Sequence, residues 1–189
     1  MTQEEVLNLF RQSGALLEGH FRLSSGLHSD RYLQSALVLQ HPDFGEQMGR
    51  ALAARLEHLQ PTAILSPALG GIVIGQEVGR AMHLRSIFAE RQDGKLMLRR
   101  GFTLGPGDRV VIVEDVITTG GSTRETMAVA EETGASVMGA AAIIDRGADP
   151  GRLNVPLQAL VRMEVAAYPA ESCPMCAKGI PVTKPGSRA

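Results

Sequence analysis

The stretch Val110–Thr123, VVIVEDVITTGGST, constrains the fold more than any other part of the chain. It opens on four consecutive apolar residues, three Val and one Ile, the mark of a short strand buried on both faces of a parallel sheet. The carboxylates Glu114 and Asp115 follow, then Val116, Ile117 and a run of hydroxyls and glycines from Thr118 to Thr123. Ser122 with Glu125 three residues on is a capping-box pattern, which predicts a helix starting at Ser122. The unit is strand, acidic pair, Gly/Thr loop, helix. In open α/β sheets ligands bind at the carboxyl ends of strands, where this loop falls.

Each residue type has a use there. Gly120 and Gly121 accept positive φ and carry no Cβ, so backbone N–H groups can converge on an anion. The helix N-terminus behind them adds positive dipole. Thr118, Thr119, Ser122 and Thr123 offer hydroxyl donors. Together these make a phosphate cradle. Two carboxylates beside it would repel phosphate if they faced it. They fit if they accept hydrogen bonds from sugar hydroxyls, or bind a cation between sugar and phosphate. The predicted ligand is a sugar phosphate with Mg²⁺. The plainer reading, a βα turn with an acidic cap and no ligand, has to treat the coincidence of strand, acids, hydroxyls and paired glycines as accidental.

The chain has 189 residues, enough for one core with a small appendage, and is read as a single domain over 1–189. A net charge of −1 gives no electrostatic case for nucleic acid or anionic membranes. No apolar run approaches a membrane span, and MTQEEVLNLF is unlike a signal peptide. Cys173 and Cys176 do not make a disulfide framework, so a cytoplasmic location is expected.

Thr2 with Glu5 is a second capping box and predicts a helix to about Gly14. Residues Phe21–Leu39 read as two short strands joined at Ser24-Ser25-Gly26, with Arg22, His28, Arg31, Tyr32 and Gln34 as groups that can reach a ligand. A helix follows His41-Pro42-Asp43. Thr62–Pro67 is a strand, with Gly70-Gly71 leading into a helix from Ile72 to about Met82. Gly70 and Gly71 fit either close helix packing or backbone contact with an anion. Ser86–Ala89 is a strand, and residues 90–101 form a polar, basic loop with Gly94 at its tip. Ser136–Ile144 is a buried strand ending in Asp145-Arg146, and Leu157–Val165 is a last strand. Arg146 can clamp a carboxylate with two parallel hydrogen bonds, or can pair locally with Asp145. The single C-x-x-C offers two thiolates where zinc needs four ligands, and no His sits near it in sequence, so it reads as structural. The tail, about 183–189, is linker-like.

On these residues the chain resembles the type I phosphoribosyltransferases, whose 5-phosphoribosyl-1-pyrophosphate (PRPP) signature runs from an apolar strand through two acids into a Thr/Gly loop. From Phe21 to Arg146 it is similar to the orotate phosphoribosyltransferases in particular. The resemblance implies an α/β fold of the type I phosphoribosyltransferase class: a central, mostly parallel sheet flanked by helices, with a small N-terminal hood mainly from residues 1–40. It implies PRPP contacts from Arg91, Lys95, Gly70, Gly71, Glu114, Asp115, Val116, Ile117, Thr118, Thr119, Gly120, Gly121 and Ser122. Lys95 and Asp115 are the implied catalytic residues, with Lys95 on a flexible loop of about 90–101 that closes over the site. Thr118, Arg146, Ser25 and Tyr32 are implied to hold orotate. Mg²⁺ would be carried mainly by PRPP and water, with no direct side-chain ligand. A homodimer with shared active sites is implied, with no nucleic-acid or membrane partner. Relatives often have lysine where Ser24 stands, a second aromatic at Leu33, Tyr-Lys at Leu69-Gly70, and a histidine in the loop. A purine phosphoribosyltransferase or a PRPP-sensing regulator of the same fold are the alternatives.

Overall fold

The computed structural model describes residues 1–23, 25–147 and 153–185. Ser24 and the last four residues of the expected tail lie outside the described residues. The first helix, α1 (Gln3–Gln12), starts as its capping box requires: the Thr2 hydroxyl accepts from the Glu5 N–H, and the Glu5 carboxylate accepts from the Thr2 N–H. An antiparallel hairpin follows, β1 (Leu16–Arg22) and β2 (His28–Leu33). The hairpin sits several residues earlier than the sequence suggests. Its first strand starts upstream of Phe21, at Leu16, and Ser35–Leu39 coils into a short helix, α2. Apolar Val38 and Leu39 are buried against the core, so tertiary burial decides their conformation.

The main body alternates strands and helices: α3 (Pro42–Leu56), β3 (Ala63–Pro67), α4 (Gly70–Met82), β4 (Arg85–Gln92), β5 (Lys95–Leu98), β6 (Arg109–Ile117), α5 (Gly121–Glu131), β7 (Ser136–Asp145), β8 (Leu157–Arg162) and a one-turn helix α6 (Pro174–Ala177). The sheet order is β5-β4-β3-β6-β7-β8, all parallel except β5, which turns back on β4. The chain leaves β3 for one edge and returns to the other side of β3 as β6. The crevice at the carboxyl ends of β3 and β6 is therefore the switch point at which ligands of such sheets bind.

Strand β6 shows why the sheet is in the middle. Val111 and Val113 join a core with Val6, Phe10, Leu52 and Ile74, from α1, α3 and α4. Val110 and Ile112 join a second core with Met127, Val129 and Ala130 of α5. Period-2 alternation sends successive side chains to opposite layers, and both layers are dry. An unbroken apolar run is what a strand between two helical layers needs.

The hood hairpin would be marginal alone. The C-terminal segment borders it on two sides. Tyr168 and His28 exchange both backbone hydrogen bonds at 2.8 Å. Thr183 donates its N–H to His20 O and accepts from the Arg22 N–H, each at 2.8 Å. The start of the expected tail is thus fastened to β1.

Candidate active site

The apolar run of β6 ends at Val113, but the strand continues through the acids to Ile117, paired with β7 as far as Asp145. Gly120, at φ +71°, turns the chain into α5. The expected capping box is not made. Helix α5 has no side-chain cap and no acid in its first turn. Instead the Ser122 hydroxyl faces both Glu114 oxygens, at 3.1 and 3.2 Å, and the Thr123 hydroxyl donates to Glu114 Oε1 at 2.5 Å. A buried carboxylate needs donors, and that need outweighs a cap. The uncapped first turn keeps its N–H groups for another acceptor.

Glu114 is therefore an inward support that ties strand to helix, buried at 5 % exposure. Burial raises its pKa, the Thr123 and Ser122 hydroxyls work against that, and neighbouring Asp115 adds to it. Asp115 is raised too, first by burial, with the Val116 N–H opposing. It faces the start of α4. A Cβ on Gly70 would lie 2.6 Å from Asp115 Oδ1, and one on Gly71 would lie 2.8 Å from Val113 O. Gly71 is thus explained by helix-on-strand packing, whereas Gly70 leaves room for the Asp115 carboxylate. Val116 and Ile117 stay in the β6–β7 ladder, and Ile117 O accepts the Arg146 N–H at 2.9 Å. They support the loop from beneath.

Next to this loop is a cleft of about 540 Å³. Thr118 and Thr119 form one side. Arg146 and Gly147, just past the end of β7, line it as well. Ser25, Arg31 and Tyr32 face them from the hood, with Leu23, Leu27 and Leu33 as apolar wall. All of Thr118, Arg146, Ser25 and Tyr32, grouped by the family resemblance from segments far apart, line this one cleft. The Arg146 Nε is buried with no hydrogen-bond partner among the described residues, and burial lowers the pKa of its guanidinium. Asp145 is bridged to Arg162 of β8 at 3.3 Å and accepts the Gly147 N–H at 3.1 Å.

Residues 35–155 match the Phosphoribosyl transferase domain family. The chain belongs to the phosphoribosyltransferase family. It is 50 % identical over 188 residues to a protein of Pelotomaculum thermopropionicum named orotate phosphoribosyltransferase, covering 100 % of this chain and 99 % of that one. Among solved structures it resembles orotate phosphoribosyltransferase from Aeropyrum pernix, with TM-score 0.71 and 23 % identity, over 83 % of this chain and 93 % of that one. It also resembles adenine phosphoribosyltransferase from Thermoanaerobacter pseudethanolicus, with TM-score 0.61 and 18 % identity, over 70 % of this chain and 88 % of that one. Those likenesses establish the fold of the sheet and helices. They span two bases, so the phosphoribosyltransferase fold alone does not select one.

In this phosphoribosyltransferase the basic stretch over 90–101 is built as a hairpin, not an irregular loop. Strand β4 runs to Gln92, Asp93 and Gly94 turn at positive φ, and β5 starts at Lys95. Two residues at positive φ match the twist of a tight hairpin. Lys95 is exposed, with no ion pair among the described residues. Arg91 pairs with Glu125 of α5 at 2.7 Å, which brings the hairpin against the start of that helix. Arg99 and Arg100 both pair with Glu90, at 3.6 and 2.9 Å, which keeps them at the hairpin base.

Arg31, expected to reach a ligand, does line the cleft. Val165 and Ala167, past the end of β8, escape a sequence reading. Nothing in their local pattern marks them, because the C-terminal segment is placed by its bonds to the hood. His28, expected to reach a ligand, is instead 6 % exposed and turned toward His20.

Proposed function

We infer that this chain transfers the 5-phosphoribosyl group of PRPP to orotate, giving orotidine 5′-monophosphate and pyrophosphate in pyrimidine synthesis. The observation that carries the reading is Arg146. A half-buried guanidinium with an unpartnered Nε lines a cleft between the phosphate loop and an aromatic-bearing hood. Leaving a buried donor unpaired is unfavourable, and a planar carboxylate is its natural partner. Orotate carries a carboxylate; adenine and xanthine do not. The full-length relative from Pelotomaculum supports the same base.

The reaction breaks the bond from the anomeric carbon to pyrophosphate and forms one to the orotate ring nitrogen, through a ribose with oxocarbenium character. Positioning and electrostatics dominate such a step. The first turn of α5, with Thr118, Thr119, Gly120, Gly121 and the loop that Glu114 braces through Ser122, holds the 5′-phosphate. Asp115 accepts the ribose hydroxyls, and its charge favours a cationic ring. Gly70 presents backbone to pyrophosphate. Lys95 and Arg91 close over the leaving group, Arg91 exchanging Glu125 for pyrophosphate oxygens, and so exclude water. Arg146 orients orotate, with Thr118, Ser25 and Tyr32 around it.

Mg²⁺ fits the donor set. Asp115 is a carboxylate, a hard oxygen donor, and it lies against the start of α4 beside Gly70. Asp115 would face a metal carried mainly by PRPP and water. When bound, Mg²⁺ supplies neutralisation of the pyrophosphate charge.

No helix among the described residues is long and apolar enough to cross a membrane, and a cytoplasmic location with no nucleic-acid partner is part of this reading. So is a homodimer in which the hairpin bearing Lys95 reaches a partner's site. The deciding experiment follows orotate absorbance with PRPP and Mg²⁺. Orotate consumption dependent on PRPP is expected. Turnover of adenine or xanthine but not orotate would reject this base assignment.

A further inference from the structure

Behind the cleft, the hood and the C-terminal segment bring together four side chains with no part in the transfer reaction. His20 is near the end of β1 and His28 opens β2. Cys173 and Cys176 bracket the start of α6. One ligand atom from each lies within 4.8 Å of all the others. His20 Nε2 is 2.8 Å from His28 Nδ1, 3.5 Å from Cys173 Sγ and 3.8 Å from Cys176 Sγ. Cys176 Sγ is 3.3 Å from His28 Nδ1. Both thiols are free, and three of the four residues are buried. We propose that His20, His28, Cys173 and Cys176 bind one Zn²⁺ ion that fastens the C-terminal segment to the hood.

The dimensions support one ion. With Zn–S of about 2.3 Å and Zn–N of about 2.0–2.1 Å, a tetrahedral site has ligand-to-ligand edges of roughly 3.3–3.8 Å. Three nitrogen-to-sulfur separations already fall in that range, the imidazole pair must part by about half an ångström, and the remaining separations, all within 4.8 Å, close by at most about one ångström. Two thiolates with two imidazoles in a tetrahedron select zinc over the hard cations. A [2Fe–2S] cluster with two Cys and two His places them on separate irons, and the span here is too short for that.

The ring orientation is set from outside the cluster. His20 Nδ1 is 2.7 Å from Ile180 O, so it carries the proton and leaves Nε2 as an electron-pair donor toward the other three. A hydrogen bond between the two rings would satisfy the imidazoles alone. It gives no reason for two thiols to converge on the same point. The C-x-x-C, at the start of a turn with Pro174 between the thiols, presents both sulfurs to one side.

The site has a consequence for the cleft. Tyr168 pairs with His28, and Val165 and Ala167, just before it, line the same cleft as Thr118 and Thr119. Removing the ion frees the segment that carries this wall. The expected result is a rise in KM for orotate with little change in KM for PRPP, an arm that rests on the orotate reading. The metal arms do not.

The test is metal analysis of the full chain purified without chelator from zinc-supplemented cells. About one zinc per chain is expected in the parent, and less than a tenth of that in Cys176→Ser and His28→Ala. The stripped parent should take up one Co²⁺ with tetrahedral visible absorption and a thiolate charge-transfer band, and Zn²⁺ should raise its Tm by several degrees. This titration stands even where a variant does not fold. Substoichiometric zinc with no cobalt spectrum overturns the proposal. So does an intact Cys173–Cys176 disulfide in the freshly purified chain.

Discussion

Glu114, Ser122 and Thr123 lie within nine residues of one another, and their hydrogen bonds close inside a single strand–loop–helix unit. Across the cleft, Ser25, Tyr32, Arg146 and Ala167 come from three separate stretches of the chain, brought together by a hairpin, a strand end and a C-terminal segment. In the proposed reaction the first region, built locally, serves what every phosphoribosyl donor has in common, a ribose and a phosphate. The second, built by tertiary packing, is the one proposed to decide which base enters. Damage to the first should slow turnover whatever the acceptor. Damage to the second should change selection and leave phosphate binding intact.

The largest effect expected is on the donor side. Lys95→Ala should lower kcat by about 10²–10³, the scale of removing one charge-stabilising group, with KM for orotate changed little. Steady-state kinetics varying each substrate separates the two. Unchanged turnover would remove Lys95 from the mechanism. On the acceptor side, Arg146→Ala removes one partner of a charge pair and is worth about 2–3 kcal/mol, or roughly 30–150-fold in kcat/KM for orotate. The Kd of PRPP by calorimetry should move less than about threefold. An equal loss for both substrates would end the division of labour between the two regions.

Gly70→Ala is a finer probe of the donor side. The added methyl meets the Asp115 carboxylate, so either α4 or the acid must shift. A shift approaching 1 Å near reacting groups costs up to about 10²-fold, and roughly tenfold is expected here because Asp115 can rotate. The loss should appear with every acceptor base tried. A loss confined to orotate would tie Gly70 to the base cleft instead.

The two regions also differ in what a linear reading can reach. The apolar run, acids and glycines of Val110–Thr123 are a local pattern with local causes, so strand, loop and helix follow from it directly. Even there Ser122 misleads. The capping-box spacing is real, but the buried Glu114 carboxylate takes the hydroxyl and Arg91 takes Glu125. The basic stretch over 90–101 resolves into a hairpin because Asp93-Gly94 suits a tight turn, a signal present in the sequence but read as loop. Arg146 was legible as a strand-end arginine. Val165 and Ala167 were not, since no periodicity marks a segment placed by bonds to a hairpin more than a hundred residues earlier. The C-x-x-C is the sharpest case. His20 and His28 are nowhere near it in sequence, and only the fold supplies them.

The smallest effect concerns stability, and its sign tests whether Glu114 acts as a support or as a strained functional charge. Its pKa is raised, with burial the largest cause, so the native chain holds that proton more firmly than the unfolded chain does. Between the ordinary carboxylate range and the raised value the native state binds more protons, and stability therefore falls as pH rises through that window. Above the window the unfavourable term is fully present; below the ordinary range it is absent. Glu114→Gln has no such term and still offers an oxygen to Ser122 and Thr123. The variant should be more stable by about 1 kcal/mol at pH 7–8, roughly 2–4 °C in Tm for a chain of this size. The advantage should shrink as pH falls toward the ordinary carboxylate range. Thermal unfolding of both proteins from mildly acidic to mildly alkaline pH reads it out. A variant less stable than the parent at every pH would mean that the two hydroxyls more than offset burial, and that the ionised carboxylate holds the loop together.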